Sequence, residues 1–162
     1  MEQKPHWFWK MATPAIPSQK IVKAGLGGLI AIGIIALLAS LTNEPLILGS
    51  FGASCVLVFG YPESPFSRAR QVIGGHVIGA FSGLLILHLL GHSPFAFAIA
   101  MGLAIVLMMI TRSVHPPAGS NPVIVMMSQP GWMFLIKPVL IGSICLAIIG
   151  WLYHRITSKV AP

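Results

Sequence analysis

Between Lys23 and Glu44 the chain runs for twenty residues without a charged side chain. Such a run limits the fold strongly, because about twenty helical residues, rising about 1.5 Å each, cover the roughly 30 Å hydrocarbon core of a bilayer. The span it implies is Ile21 to Leu41, with Lys23 as its one charge. Further spans are expected at Gln71 to Leu90, Phe95 to Thr111 and Trp132 to Tyr153. The 162 residues are 56% hydrophobic and 8% charged, and the mean hydropathy is +0.87, outside the range of soluble globular domains. The expected fold class is an all-α integral membrane protein, a small helical bundle. At 17.3 kDa one protomer supplies few helices, so a homo-oligomer is expected.

Charge excludes several functions. Ten Lys and Arg face three acids, Glu2, Glu44 and Glu63, with no Asp, for a net charge of +7. The cations sit at the chain ends and in connections, as the positive-inside rule requires, and nucleic acid is not an expected partner. Without Asp there is no Ser-His-Asp arrangement. Cys55 and Cys145 lie in apolar runs, and the histidines have no metal-ligand spacing. The expectation is therefore no enzyme, no cofactor and no metal. The first apolar run lacks a small-residue cleavage site and is expected to be retained. Ahead of it, Trp7, Phe8 and Trp9 between Lys4 and Lys10 suit an interfacial segment over residues 1–20. The transmembrane part then covers 21–154, and 155–162 is a basic tail.

Two segments break the hydrophobic pattern. Leu46 to Phe59 follows Asn43-Glu44-Pro45 and is too short for an ordinary span. Arg112 to Met127, RSVHPPAGSNPVIVMM, sets a guanidinium, an imidazole and three prolines between apolar stretches. Each reads as a broken or half-helix, and their Gly49-Ser50 and Gly119-Ser120 pairs stand about seventy residues apart at matching places. That suggests two internal repeats, about 21–90 and about 94–154. If the short segments cross the membrane there are six passes and the halves are inverted; if they re-enter there are four. Charge favours six, since Lys4, Lys10, Lys20, Lys23, Arg68, Arg70, Arg112, Arg155 and Lys159 then share the inner side with both termini. Gly75, Gly79 and Gly83 recur every fourth residue, the stripe by which membrane helices pack closely.

The start of a helix presents unpaired N–H groups and partial positive charge, so a half-helix beginning at membrane depth suits an anion. Gly49, Ser50 and Ser54 in the first short segment and Gly119, Ser120 and Asn121 in the second supply close approach and donors. Arg112 and His115 precede the second, and Arg68, Arg70 and His76 would add positive charge. The expected ligand is a small inorganic anion, moving along a polar path that the two short segments line face to face. The competing expectation is a non-transporting subunit or scaffold that associates through its glycine-rich faces.

VHPPAGSNP, with LGSFGASCVLVFGYPESPFSRARQVIGGHVIGA, resembles the HPP family of integral membrane proteins, so called for the motif that is His115-Pro116-Pro117 here. The resemblance runs from about Ile21 to Tyr153. It implies transport, with nitrite as the substrate associated with some members, and a family description of four spans rather than six. Ala69-Arg70-Gln71 and Ser120-Asn121-Pro122 depart from the common family pattern while Arg70 and His76 match it. No regulatory tail domain is expected, and the implied location is a prokaryotic cytoplasmic membrane.

Overall fold

The computed structural model describes residues 15–158; the aromatic segment at Trp7 to Trp9 and Lys159 lie outside them. Helix α1 (Ser18–Thr42) ends where Asn43 takes a left-handed conformation, φ 55°, with Pro45 two residues on. The chain continues into α2 (Gly49–Cys55), which winds on as a wider turn to Gly60. A short turn at Pro65–Ser67 leads to α3 (Ala69–Leu90), which stops at Gly91 with φ 70°, a value glycine accepts without strain. Ser93 caps α4 (Pro94–Ile110) by accepting the Ala96 N–H at 3.2 Å, and Pro94 occupies the first helical position. A 3-10 turn, Pro116–Ser120, enters α5 (Asn121–Ser128), and α6 (Ile141–Ser158) closes the fold. Among the described residues there is no strand.

Pairwise contacts give the direction of every element. Lys20 meets Glu63 at 3.4 Å, Tyr153 donates to the Lys23 carbonyl at 2.7 Å, and Arg70 donates to the Thr111 carbonyl at 2.8 Å. These contacts gather the start of α1, the connection after α2, the start of α3, the end of α4 and the end of α6 at one end of the bundle. At the other end Lys137 meets Glu44 at 2.7 Å and Trp132 donates to His88 at 3.3 Å. The path therefore runs end to end six times, α2 and the 116–128 segment each making one short traverse. The first of these ends we call the basic end, since Lys20, Lys23, Arg68, Arg70, Arg112 and Arg155 all lie there.

Three helical segments, Ser18–Thr42, Ala69–Leu90 and Trp132–Ser158, are long and apolar enough to cross a membrane. The last covers the expected Trp132 to Tyr153 span, with a break inside it. Lys137 leaves helical geometry at φ −122° and ψ 115°, so the regular helix begins only at Ile141. Pro138 follows it, and a residue before proline is pushed out of the α region; the backbone excursion also carries the lysine to Glu44.

The bundle has its large apolar side chains on both faces. Leu29, Leu37, Phe95, Ile110 and Trp151 are exposed around the outside, an apolar surface suited to lipid. Inside, Phe51, Leu84, Val125 and Leu146 are fully buried. Because lipid is as apolar as a leucine, close packing rather than hydrophobic burial holds such helices together. The α3 stripe meets this need within the chain. A Cβ on Gly75 would sit 2.6 Å from that of His115, one on Gly79 2.5 Å from the Ala118 carbonyl, and one on Gly83 2.8 Å from Val125. On α1, by contrast, Gly27 packs on Phe59, while Gly25 and Gly33 have open space in front of them.

Candidate functional site

Close contact between α3 and the 113–125 stretch forces the polar residues of that stretch into the interior. Residues three apart eclipse on a 3-10 turn, so Ala118 and Asn121 both face Gly79 of α3. Gly119 is half-buried and Ser120 exposed, its hydroxyl donating to the Pro117 carbonyl at 2.8 Å. From the other side α2 presents Ser50 and Ser54, four residues apart and thus on one face, with Phe51 beside them; all three are buried and Gly49 is exposed.

Five polar side chains meet between these elements: Ser50, Ser54, His76, His115 and Asn121. His76, His115, Ser54 and Asn121 have no exposed surface and Ser50 3%. Ser54 Oγ lies 2.9 Å from His76 Nε2, 2.8 Å from His115 Nε2 and 3.1 Å from the Ser50 carbonyl. Ser50 Oγ lies 3.5 Å from His76 Nδ1. Asn121 Nδ2 lies 3.0 Å from His76 Nδ1 and 3.0 Å from the His76 carbonyl. His115 Nδ1 reaches the Phe66 carbonyl at 2.8 Å, and Phe51 sets its ring edge-on to His76, centroids 5.0 Å apart.

Hydrogen-bond chemistry assigns the protons. A carbonyl only accepts, so Asn121 must turn its amide nitrogen to His76, and the second N–H of that group points at His76 Nδ1. Neutral His76 then carries its proton on Nε2 and donates to Ser54. At the far side the Phe66 carbonyl requires a proton on His115 Nδ1, leaving Nε2 of the neutral ring as an acceptor for the Ser54 hydroxyl. Four side chains and one carbonyl are thus joined in one direction, Asn121 to His76 to Ser54 to His115 to Phe66. Asn121 Oδ1 is buried without a hydrogen-bond partner.

The arginines stand apart from this cluster. Arg68, Arg70 and Arg112 are exposed at the basic end. Arg70 holds the Thr111 carbonyl, and Arg112 itself takes a left-handed conformation, φ 55°. Arg68 lines a cavity of about 720 Å³ with Lys23, His154, Arg155, Val72 and Trp151, and among the described residues no carboxylate lines it. Glu63 nearby is held below the ordinary carboxylate range, first by a hydrogen bond from its own backbone and then by Lys20. Sequence reasoning thus brought the right two segments together and named Ser50, Ser54, His76, His115 and Asn121, which meet there; Arg68, Arg70, Arg112 and Ser120, expected with them, are exposed. It also missed Lys137 and the Phe66 carbonyl; Lys137 was marked by the proline after it, whereas the carbonyl left no signal in the sequence.

These features define an all-helical integral membrane protein with a buried polar cluster set between two short helices. The chain belongs to the HPP transmembrane family, whose transmembrane region matches residues 13–162. It is 34% identical over 146 residues to a transmembrane protein of Dictyostelium discoideum, a match covering 83% of this chain and 47% of that one. A second transmembrane protein of the same organism is 30% identical over 145 residues, covering 84% and 51% respectively. The chain therefore spans about half the length of these relatives, and their eukaryotic source gives no support to the prokaryotic location expected from the sequence. No solved structure matches.

Proposed function

We propose that the protein moves a small inorganic anion across the membrane, nitrite first among the candidates, between α2 and the 116–128 segment. The observation that carries this reading is the placement of five buried polar side chains inside an apolar bundle. Polar groups at that depth are costly and mark a pathway or site more often than a structural need. The charge distribution supports an anion over a cation. Lys23, Arg68 and Arg155 line the cavity at the basic end, and each described acid is already paired, Glu63 with Lys20 and Glu44 with Lys137. Nitrite follows from the family resemblance of His115-Pro116-Pro117 alone. In this reading residues 21–90 and 94–154 are inverted repeats, the basic end faces the cytoplasm, and the open Gly25 and Gly33 of α1 admit a second copy of the chain. Gly49, Gly119, Ser120, Arg68, Arg70 and Arg112 then serve the approach to the cluster rather than the cluster itself.

The scaffold alternative loses its α3 face, because that glycine stripe is already occupied by the chain's own 113–125 stretch. The decisive experiment is uptake of nitrite, nitrate and chloride by liposomes containing purified protein. Anion uptake above that of protein-free vesicles, reduced by Ser54→Leu, is expected; cation flux without anion flux would overturn the reading.

A further inference from the structure

The cluster holds no fixed charge. A lone anion entering it would be an unpaired buried charge, for which the protein offers no compensation at that depth. Asn121 Oδ1, buried and unpartnered, is an acceptor and repels such an ion further. Something must bring positive charge with the anion.

The hydrogen-bond directions show where one added proton fits. Ser54 has a second acceptor within reach, the Ser50 carbonyl at 3.1 Å. If the hydroxyl turns from His115 Nε2 to that carbonyl, Ser54 Oγ is left with two lone pairs, one already taken by His76 Nε2–H. The other can accept from a protonated His115 Nε2 at the same 2.8 Å. Protonated His115 then donates from both nitrogens, to Ser54 and to the Phe66 carbonyl, and no other bond changes. His76 has a poorer place: a proton on its Nδ1 would meet the Asn121 N–H donor 3.0 Å away, with the Ser50 hydroxyl, at 3.5 Å, as a more distant acceptor.

Among the described residues, the surroundings of His115 contain no acid that would neutralise the added charge. From α3 it faces His76, ring centroids 5.2 Å apart, and from the Pro65–Ser67 turn only the Phe66 carbonyl. From α2 it faces Ser54; the next residue, Cys55, has its Cβ 3.7 Å from where a Gly28 side chain would stand on α1. Beyond α4, Thr111 and Ser113 bond each other at 2.6 Å, and Arg70 and Arg112 are exposed. On α6, His154 is engaged with the Val58 carbonyl.

We propose that one proton accompanies each anion through this protein, with His115 Nε2 as the proton's seat and the Ser54 hydroxyl as the switch that admits it. The inference rests on the anion-transport reading and adds its coupling: the pair moves as an electroneutral unit, a monovalent anion with a proton.

The test uses wild-type proteoliposomes with a pH-sensitive dye inside and the membrane potential clamped by potassium and valinomycin, with nitrite and nitrate as probes and protein-free vesicles subtracted. Internal acidification in step with anion uptake, at a rate indifferent to the clamped potential, is expected. In His115→Gln, and independently in Ser54→Ala, the proton signal per anion should fall at least severalfold. Uptake driven by the potential with no acidification removes the coupling and leaves the transport reading intact. No anion uptake above protein-free vesicles removes both.

Discussion

Two histidines in contact usually invite the same treatment, yet His76 and His115 have opposite tautomers imposed on them. Asn121 forces the proton of His76 to Nε2, and the Phe66 carbonyl forces that of His115 to Nδ1. Ser54 can lie between the two Nε2 atoms only because one donates and the other accepts. Nitrogen-15 NMR of histidine-labelled protein above pH 8 is therefore expected to show one ring protonated at Nε2 and one at Nδ1, assigned by His76→Gln and His115→Gln. Identical tautomers at both sites would break the directed chain. Asn121 carries a second consequence. Asn121→Leu leaves His76 Nδ1 without its donor in a dry interior, which should cost about 1–3 kcal/mol, read as a lowered melting temperature in detergent.

Among the elements, α3 is where sequence and structure agree most closely. Gly75, Gly79 and Gly83 at four-residue spacing could be read as a packing stripe without knowing what packs on it, because only glycine lets backbones meet at that distance. The partner turned out to be the chain's own 113–125 stretch. A Cβ at Gly79 would meet a backbone carbonyl, which cannot swing away, whereas one at Gly102 of α4 meets open space. Gly79→Ala is thus expected to destabilise by about 1–3 kcal/mol, while Gly102→Ala should be neutral or stabilising by up to about 1 kcal/mol. Equal melting temperatures for the two variants would argue against the packing described here. The facing of LGSFGAS and VHPPAGSNP was legible for a related reason: both carry polarity that an apolar bundle accepts only where it meets other polarity. The arginines were not legible. Composition says that a long cationic side chain stands near a site, but whether it turns inward depends on what could pay for its desolvation, and Arg68, Arg70 and Arg112 find nothing inside to do so and stay at the surface. Ser120 lies outside for a different reason: a 3-10 turn rather than an α-helix leads into α5, and it is Asn121, expected beside Ser120, that faces inward.

At the scale of the whole molecule, six traverses and four make opposite statements about which connections share a compartment. With six, the connections around Ser64 and Thr111 lie with Ser158 at the basic end, and those around Asn43, His92 and Gln129 lie together at the other, as the ion pair Lys137–Glu44 and the Trp132–His88 hydrogen bond require. With two re-entrant segments, Ser64 would instead share a side with Asn43. Lysines and arginines concentrate on the side that stays in the cytoplasm, and six of the described cations gather at the basic end. A cysteine-free background, made by Cys55→Ser and Cys145→Ser, allows a direct test with a membrane-impermeant maleimide on sealed vesicles of known sidedness. Ser64→Cys, Thr111→Cys and Ser158→Cys are expected to react from one face, and Asn43→Cys, His92→Cys and Gln129→Cys from the other. Labelling of Ser64→Cys together with Asn43→Cys would mean that α2 turns back within the membrane. The inverted arrangement of residues 21–90 and 94–154 on which the transport proposal rests would then be lost, since inversion requires each half to cross an odd number of times.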